Sequence, residues 1–291
     1  MLAGRDLTIL SLLKVFRGCI ALTWALTLGE AGLTALIPLY IGFAIDGLLG
    51  GSPRALWHLA GLLAALVALG VARRLYDTRA YGTIRVELGK AQVARSAALP
   101  VSALNARLDM GRELVDFLED TLPGAMAAAV QFAVSIAVLF AFAPELACAA
   151  GAAALAMAAV YALFHRRFFR LNGQLNQQTE RQVGVLEKRA PMAALAHLRR
   201  LRRFEVQLSD AEAILYGAVF ALLLGLILFN LWFAAAMITV TAGAVFSIVS
   251  YSWDFAEASL SLPVTLQTWS RLAEITARLN PSAAAGRPAG T

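Results

Sequence analysis

Six stretches of this chain stay apolar for long enough to cross a lipid bilayer, which takes about 20 helical residues each. The first runs from Gly18 to Leu49 and the second begins at Ala55. The third covers Leu122–Ala143, the fourth Leu146–Phe164 and the fifth Ala213 to Phe233, and the sixth starts near Ala236 and continues past Trp253. The breaks after the first, third and fifth are a few residues long, whereas those after the second and fourth are long and charged. Backbone in hydrocarbon must satisfy its hydrogen bonds internally, so such segments fold as helices. The pattern predicts an all-α membrane protein of six transmembrane helices with two long cytoplasmic helical hairpins.

Charge sets the orientation. Of the 25 Lys and Arg, 24 lie before the first stretch, in the two long connections or after the sixth, and only Arg54 falls on the other side. Under the positive-inside rule both long connections and both termini are cytoplasmic, with the spans in a bacterial inner membrane. Only 15% of residues are charged and 59% are hydrophobic, too little polar surface for a soluble domain of 291 residues. The net charge of +6 therefore points to lipid headgroups and not to nucleic acid, which would call for a basic face rather than bilayer sorting. Cys19 and Cys148 fall near opposite membrane faces, too far apart for a disulfide, and read as small packing residues. His58, His165 and His197 are scattered without metal-ligand spacing, and no metal site is expected.

Local signals fill in the plan. Residues 1–17 lack the layout of a cleaved signal peptide and instead suit an interfacial elbow helix, with Asp6 as its cap and Lys14 and Arg17 near its end. Between Arg73 and Leu99 there is no proline, so the second span extends as helix until Pro100 ends it. The chain is expected to turn through Val101–Asp109 and begin the third helix near Gly111. In the second hairpin, His165–Lys188 continues the fourth helix, Pro191 interrupts, and Met192–Phe204 forms a short basic stretch. Ala125, Ala129, Ala133, Ala137 and Ala141 recur every four residues, a ladder suited to close helix packing. The main membrane unit is 18–280, followed by a flexible tail over 281–291.

A few acids sit where lipid discourages them. Glu30 lies about 12 residues into the first span, or ~18 Å of rise, near mid-bilayer on that count. An unpaired carboxylate there costs at least ~2.5 kcal/mol, so it is either a proton or cation site in a central cavity or a protonated acid bonded to a neighbouring helix. Asp254 and Glu257 share a face with Tyr251 near the inner leaflet, as a cavity mouth or as partners of a basic loop. Trp253 reads as an interfacial anchor. Asp116, Glu119 and Asp120 are expected to pair with loop arginines.

The order of these features resembles the transmembrane half of an ABC exporter, over roughly residues 9–280. Pro38 with Ile45-Asp46 resembles that family's proline and aspartate at the outer end of span one. Leu99-Pro100, then Gly111-Arg112-Glu113-Leu114 and Asp120, resembles its first intracellular loop. Ala143-Pro144-Glu145-Leu146 is similar to its tight outer turn, and Tyr251 and Arg271-Leu272 to residues ahead of the ATPase linker. Glu187 matches the second loop, but Ala190-Pro191 stands near where that family has a glycine. The resemblance implies a twofold homodimer or heterodimer. It also implies coupling to an ATPase through Val101–Asp109 (Ser102, Leu104, Asn105) and Met192–Phe204 (Leu198, Arg199, Arg202, Phe204). The arginines of the second segment could equally meet anionic lipid or water.

No G-x-x-x-x-G-K-[ST] occurs, so the chain itself is expected to bind no cofactor and to hydrolyse no ATP, leaving that to a separate ATPase subunit. The leading reading is the membrane subunit of an ABC-type transporter. A second is an ATPase-independent, proton-coupled peptide or solute transporter with Glu30, Asp254 and Glu257 as protonation sites. A third is a regulatory membrane protein on the same fold.

Overall fold

Proline placement explains where several of the described helices start. In the computed structural model, which describes residues 8–95 and 100–279, α1 (Ile9–Val15) is followed by α2 (Arg17–Leu49), α3 (Arg54–Arg95) and α4 (Val101–Asp116). A π-helical turn over Phe117–Thr121 leads into α5 (Leu122–Phe142). Then come α6 (Pro144–Glu180), α7 (Gln182–Glu187), α8 (Pro191–Met237) and α9 (Ala242–Leu279). Side chains at 95, 102, 103, 106 and 262–279 lie outside the described set, as do residues 1–7 and 280–291. Asp6, the side chains of Ser102 and of Arg271-Leu272, and the 281–291 tail are therefore among the undescribed parts. Pro100 is the N-cap of α4, and Pro144 and Pro191 open α6 and α8, where a missing N–H costs no hydrogen bond.

The fold is all-α, as expected. Among the described residues five helical segments are long and apolar enough to cross a membrane: α2, α3, the α4–α5 run, the α6–α7 run and α8. The sixth long helix, α9, is less apolar, because Ser247, Ser250, Ser252, Asp254 and Glu257 interrupt it. It also begins later than expected, since α8 continues to Met237 before the chain turns. At 1.5 Å per residue, α3 with 42 residues and α8 with 47 reach ~60–70 Å, about twice the hydrocarbon thickness. The surplus forms the two long hairpins. Val101–Asp109 is not a turn but the first part of α4, and Met192–Phe204 runs straight on into the fifth span as α8. At the second junction, 204–213, no glycine or proline interrupts the helix, and at the first Gly111 is accommodated inside α4.

The chain divides into two compact units, Met1–Ala141 with Thr239–Thr291, and Phe142–Ile238. In the second, α6 packs along α8, burying Ala150, Ala153 and Met157 of one and Leu215, Val219 and Leu223 of the other. Near its long-hairpin end His197 is buried and within hydrogen-bond reach of Gln178, Nε2 to Nδ1 at 2.8 Å. Arg189 turns the chain from α7 to α8 with φ of 48°, the left-handed region that a glycine would occupy at less cost.

In the first unit α2 packs on α3 and on α9, and α3 on α4. Its long-hairpin end is held by a core that includes Leu12, Ile20, Tyr81, Ile84, Leu88 and Leu114. The α1 cap is Thr8, in a reciprocal capping box with Ser11. The alanine ladder of α5 does not serve packing within this unit: Ala129, Ala133, Ala137 and Ala141 are not buried, and Pro123, Ser135 and Leu139 are buried instead. Cys19 and Cys148 are free and exposed rather than packed inside.

The π-helical turn has a local cause. Pro123 cannot donate to the Glu119 carbonyl and its ring crowds it, so the helix widens by one residue. The Leu118 carbonyl in the widened turn accepts from Tyr81 Oη at 2.8 Å, fully buried. Tyr81→Phe keeps the ring and leaves that carbonyl unpartnered, so the purified protein should lose about 1–3 kcal/mol in detergent unfolding. An unchanged midpoint would mean that the turn holds without the tyrosine.

Candidate functional site

Four helices of the first unit, α2, α3, α5 and α9, together with the π-helical turn, line a half-open cavity of about 730 Å³. This lies in the range of drug-sized ligand sites. One wall is small and apolar, from Ala31, Ile37, Pro38, Ala127, Ala128 and Ala258. Pro38 sits inside α2 and supplies no N–H to the Thr34 carbonyl, and Thr34 also lines the cavity. Eight lining groups are charged, Glu30, Asp77, Glu119, Asp120, Asp254 and Glu257 against Arg73 and Arg74, and Thr27, Gln131 and Ser261 add uncharged polar groups.

The ion pairs divide these acids. Arg73 Nε meets Glu30 Oε2 across the α2–α3 seam, and Arg73 Nη1 lies 3.5 Å from Asp77 Oδ2 one turn on. Asp77 is 4% exposed, and its other oxygen, Oδ1, has no hydrogen-bond partner. Arg85, lower on α3, bridges Asp116 and Glu119, each at 2.6 Å, which ties α3 to α4 and the π-helical turn. The acids at the start of the third span thus do meet a loop arginine, except Asp120. Asp254 Oδ2 accepts from Gln131 Nε2 of α5 at 2.6 Å. Among the described residues no Lys or Arg stands within ion-pair distance of Asp120, Asp254 or Glu257.

Depth follows from the short-turn ends of the helices. Glu30 is 19 residues before the end of α2 and Arg73 is 19 after the start of α3. Both therefore lie ~28 Å from the α2–α3 turn, one hydrocarbon thickness away. Asp254 is 12 residues into α9 and Gln131 is 11 before the end of α5, or ~17 Å from that side and near mid-bilayer. Counted from those ends rather than from Gly18, Asp254 is the acid nearer mid-bilayer and Glu30 stands one hydrocarbon thickness from the α2–α3 turn.

Tyr251 is not in the cavity. It is fully buried in the α2–α9 seam and donates through Oη to the Ala35 carbonyl at 2.7 Å. Above it Ser247 Oγ lies 3.1 Å from the Pro38 carbonyl. At the short-turn end the Asp46 carboxylate accepts from the Gly243 N–H at 2.8 Å and from the Thr241 hydroxyl. An aspartate on α2 thus caps the N-terminus of α9.

The model of the ABC transporter transmembrane region family matches residues 9–243, well over half of the chain. The chain belongs to that family. No curated protein matches it. Within this ABC membrane region the Pro38 and Asp46 motifs have a structural role, fixing the α2–α9 seam on which one cavity wall depends.

The segments that the exporter resemblance assigns to ATPase contact are both helical. In α4, Leu104 is half-buried, and the exposed Asn105 donates to Asp109 at 3.2 Å. On the first turns of α8 Leu198, Arg199 and Arg202 are exposed and Phe204 is half-buried. Among the described residues no carboxylate pairs with Arg199, Arg200, Arg202 or Arg203. No three His, Cys, Asp or Glu among the described residues converge as metal ligands would.

Proposed function

We propose that this ABC membrane region is the membrane subunit of a transporter that moves a solute across the bacterial inner membrane. ATP hydrolysis comes from a separate ATPase polypeptide, and two membrane regions join about a twofold axis. The observation that carries the reading is the cavity of about 730 Å³ among the membrane helices, with charge placed between mid-bilayer and the hydrocarbon boundary. Intramembrane ionisable groups are retained where they face a solute or ion path. The sorting of 24 of 25 basic residues supports an orientation with both long hairpins and both termini in the cytoplasm. The ATPase then docks on Val101–Asp109 and on Met192–Phe204, where Leu198, Arg199 and Arg202 stand exposed.

Affinity purification of the tagged chain from its native membrane tests this. An ATPase subunit should co-purify, and Arg199→Glu with Arg202→Glu should reduce its recovery at least tenfold. A membrane region that brings down no ATPase, in a preparation without ATP hydrolysis, sinks the reading. The unpaired acids Asp254 and Glu257 favour one alternative, proton-coupled transport on the same fold. Under that alternative, uptake into vesicles would need a pH gradient, collapse with a protonophore and ignore ATP.

A further inference from the structure

The chemistry of the cavity lining narrows what it can hold. Six carboxylates against two guanidinium groups leave a formal excess of four negative charges within low-dielectric walls, where the field is focused. Arg73 is already spent on Glu30 and Asp77, and Arg85 offsets Glu119 from outside the cavity. Among the described residues Asp254 and Glu257 have no Lys or Arg within ion-pair distance, while Arg74, the second guanidinium of the lining, acts on Asp77 and Glu119 from beyond that distance.

A second observation is independent of the charge count. Asp77 lines the cavity almost wholly buried, and the one hydroxyl beside it, that of Thr23, is shared with the Cys19 carbonyl, to which it donates at 3.2 Å, so Oδ1 has no donor of its own. A buried acceptor of this kind costs free energy until a donor arrives. Pro38 leaves the Thr34 carbonyl, in the same lining, short of its helical donor. Of the N–H groups in the lining, those of Arg73 and Gln131 already donate to its acids, which leaves Arg74 against the remaining acceptors. None of the described lining residues is aromatic, so there is no ring face to hold a cation that cannot donate a hydrogen bond.

We propose that the cavity binds an organic cation bearing N–H donors on an apolar body, an alkyl or aryl amine or guanidine, and discriminates against both anions and quaternary ammonium ions. The acids of the lining, from Asp254 and Glu257 to Asp77 and Asp120 towards the long-hairpin end, attract the charged head, and the apolar body rests on the alanine wall of α2 and α5. This assignment builds on the transporter reading by naming the substrate class of the same cavity.

Equilibrium dialysis of the full chain in phosphatidylcholine nanodiscs tests it, since zwitterionic lipid adds no anionic headgroups of its own. Benzylguanidinium should bind saturably and at least tenfold more tightly than benzyltrimethylammonium, and benzoate should not bind. Affinity for benzylguanidinium should fall at least tenfold in Asp254→Asn/Glu257→Gln and in Asp77→Asn. Glu87→Gln, which removes a carboxylate outside the cavity, should leave it unchanged. If the double variant does not reconstitute, Asp120→Asn should still weaken binding at least threefold. The proposal is overturned if the quaternary ion or benzoate binds as well as the guanidinium, if nothing binds saturably, or if the acid variants bind like the parent. The assay uses neither ATP nor an ATPase. Recruitment of an ATPase without guanidinium binding therefore removes the substrate class alone, and binding without recruitment removes the energy source alone.

Discussion

Arg73→Met should destabilise the protein by about 3 kcal/mol, the largest loss expected from any single side chain lining the cavity. Arg73 holds Glu30 of α2 and Asp77 of its own helix. Without it Glu30 and Asp77 lose their ion-pair partner, Asp77 is nearly buried, and Arg74 offsets it only from beyond ion-pair distance. Either they stay ionised at an electrostatic cost or they take up protons, which also costs free energy at neutral pH. Water in the cavity eases the penalty, so the expected loss sits at the low end of the range for broken buried pairs.

The control lies in the partner. Glu30→Gln leaves Arg73 paired with Asp77 and should cost only about 1 kcal/mol. The double variant Glu30→Gln/Arg73→Met removes one of the two stranded acids, so it should be more stable than the sum of the single changes by at least ~1 kcal/mol. Denaturant unfolding in detergent micelles measures all three. If Arg73→Met unfolds at the parent midpoint, the ion pair carries no stability and Glu30 is free for another role.

Much of the fold can be read from residue order, because apolar runs, proline stops and basic sorting all report on the bilayer. Glu30, Asp254 and Glu257 are legible as cavity acids for the same reason, since lipid makes any charge within a span conspicuous. Arg73 and Asp77 are not, because hydropathy alone ends the second span at its first arginine. A signal is nonetheless present: Glu30 and Arg73 stand equally far from the α2–α3 turn, which sets them face to face. Asp120 enters the lining through the π-helical turn, and the proline three residues later is the available clue. Tyr251 is conspicuous in the sequence, but its role depends on the Ala35 carbonyl of a helix more than two hundred residues away. The alanine ladder shows the reverse failure. Periodicity marks a face, but only the neighbours decide whether that face is covered.

Gly243→Ala should be the most damaging single-methyl change in the membrane helices. At the short-turn end of the seam a Cβ on Gly243 would overlap the Gly42 carbonyl oxygen and lie 2.7 Å from the Asp46 carboxylate. The nearest obstructing atom belongs to the backbone, so the two helices must separate, and Ser247 and Tyr251 lie along the same seam. Overpacking of this kind costs about 3 kcal/mol or more, and losing the Asp46 cap adds about 1 kcal/mol. Asp46→Ala alone should show only that smaller loss. Gly217 and Gly225 of α8 have nothing within 4 Å of an added methyl, so Ala at either should be neutral or stabilising by up to ~1 kcal/mol through helix propensity. Thermal unfolding of the four variants in one detergent separates the effects. A Gly243→Ala protein that melts with the Gly217→Ala protein would mean that α9 does not sit against α2 as described, and the cavity wall that depends on this contact would go with it.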